Sequence, residues 1–391
     1  MSQEDSDLSM RRAAIRDAVR EVVRRTREAK RKGNILRLEV QGLEVTSSLY
    51  PMYSLLGTST TLPGRPLTDF VEIVQGVTWG GKGAEQVFDL DERDVKKLDL
   101  EKEVTPRRIG GRDIEQWRVN WMGRHVLFPY LSRKGKWSRA FGVVGEVTKP
   151  VAITDALDFE HPVDETEKSI LSRDSSKDEK HREILEHRIA NGLVKFPNAA
   201  TYLVQHFDQL AARTFEDRTL REYNKKWYEY HRPRTPTVTR RPKIVGPRLV
   251  KTARFALDNI GFLPRDSVIV MAPKQRGFDE LKKALTETLS TECSDADVLR
   301  YILAFLNSAT FNNLLEEKIS KKRGGYPIID ERLLRRVAIP VPTGARKVIV
   351  KKLLGLVKDA TSRPPCNEID EKIDSLSETL YQSESRSRLR G

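Results

Sequence analysis

Only two cysteines, Cys293 and Cys366, occur in 391 residues, so neither a disulfide framework nor a cysteine-based zinc site can be built. Histidines number six. Those of the acidic segment, His161, His181 and His187, lack a dense ligand set, and His181 and His187 do not share a helical face, so no metal site is expected. No apolar run approaches the ~18 residues that a spanning helix needs, and the arginine-rich start lacks the apolar stretch of a signal peptide. No membrane role is expected, and the cytoplasm is the simplest location. Asp and Glu, at 56, are outnumbered by 70 Lys and Arg, leaving a net charge of +14 that suits a polyanionic partner. Catalytic motifs are missing too: there is no G-x-x-x-x-G-K-[ST] and no H-x-E with paired cysteines. The Pro-Pro pair Pro364-Pro365 stands in RPPC, so the [DNS]-P-P-[YFW] loop of amino-methylating DNA enzymes is absent. No glycine-rich turn suits S-adenosylmethionine, and the charged triplet Asp178-Glu179-Lys180 has no buried strand to make it a nuclease site. No catalytic residue and no bound cofactor are expected in this chain.

What the chain does have is a basic stretch from Trp227 to Asp258. Between Lys225 and Arg254 stand ten Lys and Arg residues and one acidic residue, Glu229. Pro233, Pro236, Pro242 and Pro247 fix their own φ and push the preceding residues towards extended geometry, so the cations should lie on a stiff, non-helical path. Guanidinium groups held so can fork onto phosphates or guanine edges. The aromatic opening of the stretch, Trp227, Tyr228 and Tyr230, adds to the nucleic-acid reading. Two further basic clusters qualify: Arg107 and Arg112 beside Gly110-Gly111, where the backbone could approach a ligand, and Lys321, Lys322, Arg323 and Tyr326 around a second glycine pair. The expected DNA contacts are thus Arg107, Arg112, Arg232, Arg234, Lys243, Arg248, Lys251, Arg254, Lys321, Lys322, Arg323 and Tyr326.

In chain order, residues 1–34 read as a basic amphipathic helix with an Ile15, Val19 and Val22 stripe, used for docking or linkage. Residues 35–275 read as a β-rich domain carrying an acidic insertion at 155–187, where eleven Asp and Glu face five Lys and Arg. Within it, Gly80, Gly81 and Gly83 are read as a tight turn before a returning strand at Gln86–Phe88, because a phosphate loop must open into a helix. Residues 276–381 read as helical, with one long helix from a Ser294 cap to Ile319, and 382–391 as a disordered tail. The fold class expected is α+β, a mixed, mainly antiparallel sheet followed by helices.

The series GVTWGGKGAEQVF (76–88), TPRRIGGRDIEQW (105–117), KFPNAATYLVQHFDQLAARTF (195–215), WYEYHRPR (227–234), PKIVGPRLVKTARFALDNIGF (242–262), AFLNSATFNNLLEEKISKKRGGYPIIDERLLRRVAIPVP (304–342) and NEIDEKIDSLSETLY (367–381) resembles, in order, a known family. It is similar to the TaqI-like C-terminal specificity domain of adenine-specific DNA methyltransferases and fused type II restriction-modification enzymes. The resemblance implies a DNA sequence-recognition subunit or fragment, with double-stranded DNA as partner. It implies a companion methyltransferase, and a possible nuclease subunit, with S-adenosylmethionine bound on that companion. The methyltransferase half of the family is missing here, so a split subunit or a truncated enzyme is expected. Two alternatives stay open: an active methyltransferase or endonuclease, and a type I specificity subunit, which would ordinarily show two recognition halves and long coiled coils. RNA binding is a weaker option.

Overall fold

The computed structural model describes residues 37–40, 43–46, 64–133, 136–139, 163–223, 225–318, 328–363 and 366–388. The basic helix expected over residues 1–34 lies outside them. Two units separate, Met1–Thr60 and Thr61–Gly391. In the first, Arg37–Val40 pairs antiparallel with Leu43–Thr46.

The second unit is built on a four-stranded sheet in the order Ala256–Asp258, Lys243–Pro247, Val268–Pro273, Val71–Gln75, antiparallel throughout. Alternation along the strands sends residues to two faces. Ile244, Ile269 and Met271 pack with the C-terminal helices, whereas Val245, Val268 and Val270 pack with Ile109, Ile114 and Phe262. The α+β class is what the chain adopts. The boundary drawn at residue 275, however, cuts through one core. Leu67, Phe70 and Val71 share it with Leu299, Ile302, Leu303, Leu353 and Leu380.

The helical section runs Gln275–Leu289, Asp295–Leu306, Ala309–Lys318, Lys347–Ser362 and Asn367–Arg388. Ser294 caps the second of these through a capping box with Asp297, as its sequence predicts. The single long helix expected from there to Ile319 is two helices instead. Asn307 ends the first because its amide is used elsewhere: Oδ1 accepts from Phe255 N at 2.7 Å and Nδ2 donates to Phe255 O at 2.9 Å. The last helix runs past Leu380 to Arg388, beyond the point where a disordered tail is expected.

A second buried cluster holds residues 77–130 to residues 163–238. The described part of the acidic segment begins at residue 163. It forms the helices Glu165–Ser172 and Lys177–Ala190, whose Ile170, Ile184 and Leu185 are buried. Glu167 and Arg188 form a buried, two-pronged ion pair beneath them. At the centre of the cluster Tyr230 stands edge-on to Phe88 at 4.9 Å, Phe128 at 5.4 Å and Tyr130 at 5.8 Å. The glycine segment also departs from expectation. It opens into the one-turn helix Ala84–Phe88, with Gly83 at φ 86° as its cap, and not into a strand. Val87 and Phe88 go to the core from one helical turn as readily as from a strand, which is why periodicity could not separate the two. Among the described residues no helix is long and apolar enough to cross a membrane.

Candidate nucleic-acid interface

Side by side with the sheet runs an irregular ladder of short segments. His125 bridges Arg107, Arg108–Ile109 pairs parallel with Leu263–Pro264, Val77 bridges Arg265, and Thr78 bridges Arg232. Gly76 is where the sheet strand hands over to this ladder. A side chain there would strike Arg265 O at 2.0 Å, so glycine is required by close approach. Three distant pieces of the sequence thereby come together: 105–112, 232–234 and 247–254.

Their contacts define a basic edge. Arg234 is half-buried in the left-handed region (φ 62°) and donates from Nε to Gly76 O at 3.2 Å and from Nη2 to Gln75 Oε1 at 2.9 Å. Gln75 in turn donates to Asp266 O at 2.6 Å. The Arg248 amide donates to Ser267 O at 2.8 Å, and Ser267 Oγ accepts from Gly111 N at 3.2 Å. Arg254 reaches Gly111 O at 3.4 Å. A run of hydrogen bonds thus links Arg234, Arg248, the Gly111-Arg112 corner and Arg254. Burial lowers the Arg234 pKa from its ordinary value, and the nearby charges of Arg232 and Arg248 add to that. Arg107, Arg112, Arg232 and Arg248 make no ion pair among the described residues. Arg107, Arg112, Arg232 and Lys251 are exposed, and Arg248 and Arg254 half-buried.

Lys243 is corrected. It is fully buried, and its ammonium meets Asp258 at 2.6 Å and Phe262 O at 2.9 Å. Asp258 Oδ1 also accepts from Ile260 N and Gly261 N, so the pair fastens the turn after its strand and presents nothing to a ligand. Burial lowers the Lys243 pKa, and Asp258 opposes that shift. Trp227, Tyr228 and Tyr230 are likewise buried at 1% exposure or less, which removes them as surfaces for a base. Lys321, Lys322, Arg323 and Tyr326 lie outside the described residues; the chain returns at Ile328, bridged to Leu249.

Sequence reasoning missed the groups that seat the edge. Arg213 is buried, and its five N–H bonds all go to backbone carbonyls: Leu210, Trp79, Gly80, Trp227 and Glu229, at 2.6–3.3 Å. Lacking any carboxylate there, its pKa is pushed down to about 10 by burial. Buried Asp89 gathers Arg108 at 2.6 Å, Arg124 at 2.9 Å and Arg265 at 3.8 Å, and so ties the ladder together. Asn312 Oδ1 accepts from Ala253 N at 2.7 Å, which with Asn307 fixes the backbone either side of Arg254. Partners this far apart in sequence leave no local signal. Among the described residues no three His, Cys, Asp or Glu side chains converge as a metal site would require.

No family model matches the chain. Among solved structures it is similar to the Type IIL restriction-modification enzyme MmeI, determined in complex with DNA, at 9% identity and a TM-score of 0.43. That match covers 89% of this chain and 38% of the enzyme. It is similar also to the type IIG restriction endonuclease BpuSI, at 11% identity and a TM-score of 0.37, covering 83% of this chain and 31% of that one. The chain spans well under half the length of either.

Proposed function

We propose that this chain binds double-stranded DNA through the basic edge. The observation that carries the reading is the gathering of Arg107, Arg112, Arg232 and Arg248, without ion-pair partners among the described residues, onto adjoining segments fixed by backbone hydrogen bonds. Like charges held together repel in an isolated protein, and a phosphate backbone relieves that repulsion by displacing counterions. Arg112, Arg234, Arg248, Lys251 and Arg254 would set register on phosphates. The sequence resemblance adds the context: a recognition subunit or fragment of an N6-adenine methylating or restriction-modification system. The S-adenosylmethionine chemistry would lie on a companion methyltransferase. In that setting the module would grip the duplex while the companion extrudes the target adenine.

The test is fluorescence anisotropy with labelled duplexes over a salt series. Micromolar or tighter binding at low salt, with a log–log slope near −0.9 per phosphate neutralised, is expected. Affinity unaffected by salt, or no binding at low ionic strength, refutes the reading; preference for RNA in direct competition redirects it. Label transfer from S-adenosylmethionine should need the companion methyltransferase. Transfer, or DNA cleavage with magnesium, by the pure chain would favour an enzyme over a recognition subunit.

A further inference from the structure

Several arginines lie over aromatic rings, and most are spoken for. Arg65 over Phe70 is paired with Asp69 and Glu280, and Arg265 over Trp79 with Glu85 and Asp89. Arg213 over Phe88 is sealed inside by carbonyls. Two others differ. Arg107 stands 4.5 Å over Trp121, and Arg232 stands 5.7 Å over Phe215; both are exposed and neither has an ion-pair or hydrogen-bond partner for its guanidinium among the described residues. Their roots are fixed. Arg107 O accepts from Leu263 N at 2.9 Å, and Arg232 exchanges two backbone hydrogen bonds of 2.9 Å with Thr78. The supporting rings are fixed as well: Trp121 Nε1 donates to Arg124 O at 2.8 Å, and Phe215 stacks on His231 at 3.8 Å.

A guanidinium seated on a ring has already lost much of its side-chain freedom, so little more is lost when it meets a ligand. No carboxylate hydrogen-bonds either guanidinium, the charge of Glu92 acting on Arg107 only at longer range, so the planar fork of donors is open. That combination suits a planar pair of acceptors, which guanine offers in the major groove through O6 and N7. A phosphate can be met by a fork too but also accepts single contacts from many directions, so the other cations of the edge can serve it. Resting on the duplex-binding reading above, we propose that Arg107 and Arg232 are specificity-determining residues that read guanine edges, while Arg112, Arg248 and Lys251 hold phosphates. Arg107 and Arg232 sit on segments separated by those of Leu263–Arg265 and Val77-Thr78. Three spacings of about 4.8 Å put their backbones roughly 14 Å apart, or about four base steps at 3.4 Å. The two contacts should therefore fall on different base pairs of one short site.

The experiment selects preferred duplexes from a random library with the full chain and compares R107K, R232K, R112K and R248K. The lysine variants keep the charge and lose the fork, and as surface changes they should leave the melting temperature alone. R107K and R232K are each expected to erase a guanine preference at their own position. Each should weaken binding to the selected duplex roughly 5- to 150-fold, with little change on a scrambled one. Trp121→Leu, which removes the seat of Arg107 together with the bond to Arg124 O, should reproduce part of the R107K loss. Unaltered preference in both arginine variants, or equal losses on selected and scrambled duplexes, overturns the assignment. A wild-type chain that binds every duplex equally also overturns it while leaving duplex binding intact; a chain that binds none removes both.

Discussion

Two halves of one basic stretch end in opposite environments. From Trp227 to His231 the chain is core: Trp227, Tyr228 and Tyr230 are buried, and Arg213 chelates the carbonyls of Trp227 and Glu229. From Arg232 to Arg254 most cations stay at the surface, with Lys243 the buried exception. The difference teaches that charge density along a sequence is not charge density on a surface. A buried cation needs a partner for nearly every donor, because leaving water without compensation costs several kcal/mol. Arg213 solves this with five carbonyls and Lys243 with one carboxylate and one carbonyl. On the edge, Arg107, Arg112, Arg232 and Arg248 have no ion-pair partner among the described residues, and that is what marks them for a ligand.

The sharpest way to break this contrast is Arg213→Met, which strands five carbonyls and should cost more than about 3 kcal/mol, enough to lower soluble yield and melting temperature markedly. A stable R213M chain would show that the interior cation is dispensable. Next comes Lys243→Met, which leaves the Asp258 carboxylate buried alone and should cost roughly 3–5 kcal/mol in urea unfolding. The double change K243M/D258L should recover much of that, since an apolar pair can replace a buried ion pair. Loss in the double variant as large as in the single one would mean that the turn at 258–261 needs Asp258 more than the pair. Smaller still is the clip between Trp117 and the last helix, where Nε1 donates to Asp370 Oδ1 at 2.7 Å. Asp370→Leu should cost about 1–3 kcal/mol by orphaning the indole N–H, and Asp370→Asn much less.

That clip carries a pH signature. Burial raises the Asp370 pKa above its ordinary value, with the Trp117 bond opposing. The folded state therefore holds the proton more tightly than the unfolded one, and stability is gained as pH falls through the carboxylate range and lost as it rises. Wild type measured against D370N should become relatively more stable from pH 7 towards pH 4; a constant difference would deny the shift. At the surface end of the comparison, R112A and R248A should each weaken duplex binding and reduce the salt slope by close to 0.9, with folding stability changed by no more than ~0.5 kcal/mol. An unchanged slope would place those arginines off the duplex.

Particular residues show what could be read in advance. The Ser294 cap, the extended course of the basic stretch through Lys243–Pro247 and the helical character of the chain after residue 276 follow from local pattern, since caps, prolines and periodicity are written over a few residues. The short helix at Ala84, the break at Asn307 and the burial of Lys243 could not be read so. Each depends on a partner far along the chain: Tyr202 OH donates to Val87 O, Asn307 serves Phe255, and Lys243 meets the Asp258 brought opposite by the sheet register.

By itself the sequence determined the α+β class, the positive balance and the candidate cations, because composition and short-range geometry set them. Only the tertiary structure decided which cations face water and which are locked away, and that 105–112, 232–234 and 247–254 form one edge. The reason is physical: burial and partnership are properties of residues distant in sequence meeting in space, and the free energy that sorts them is gained only when they meet.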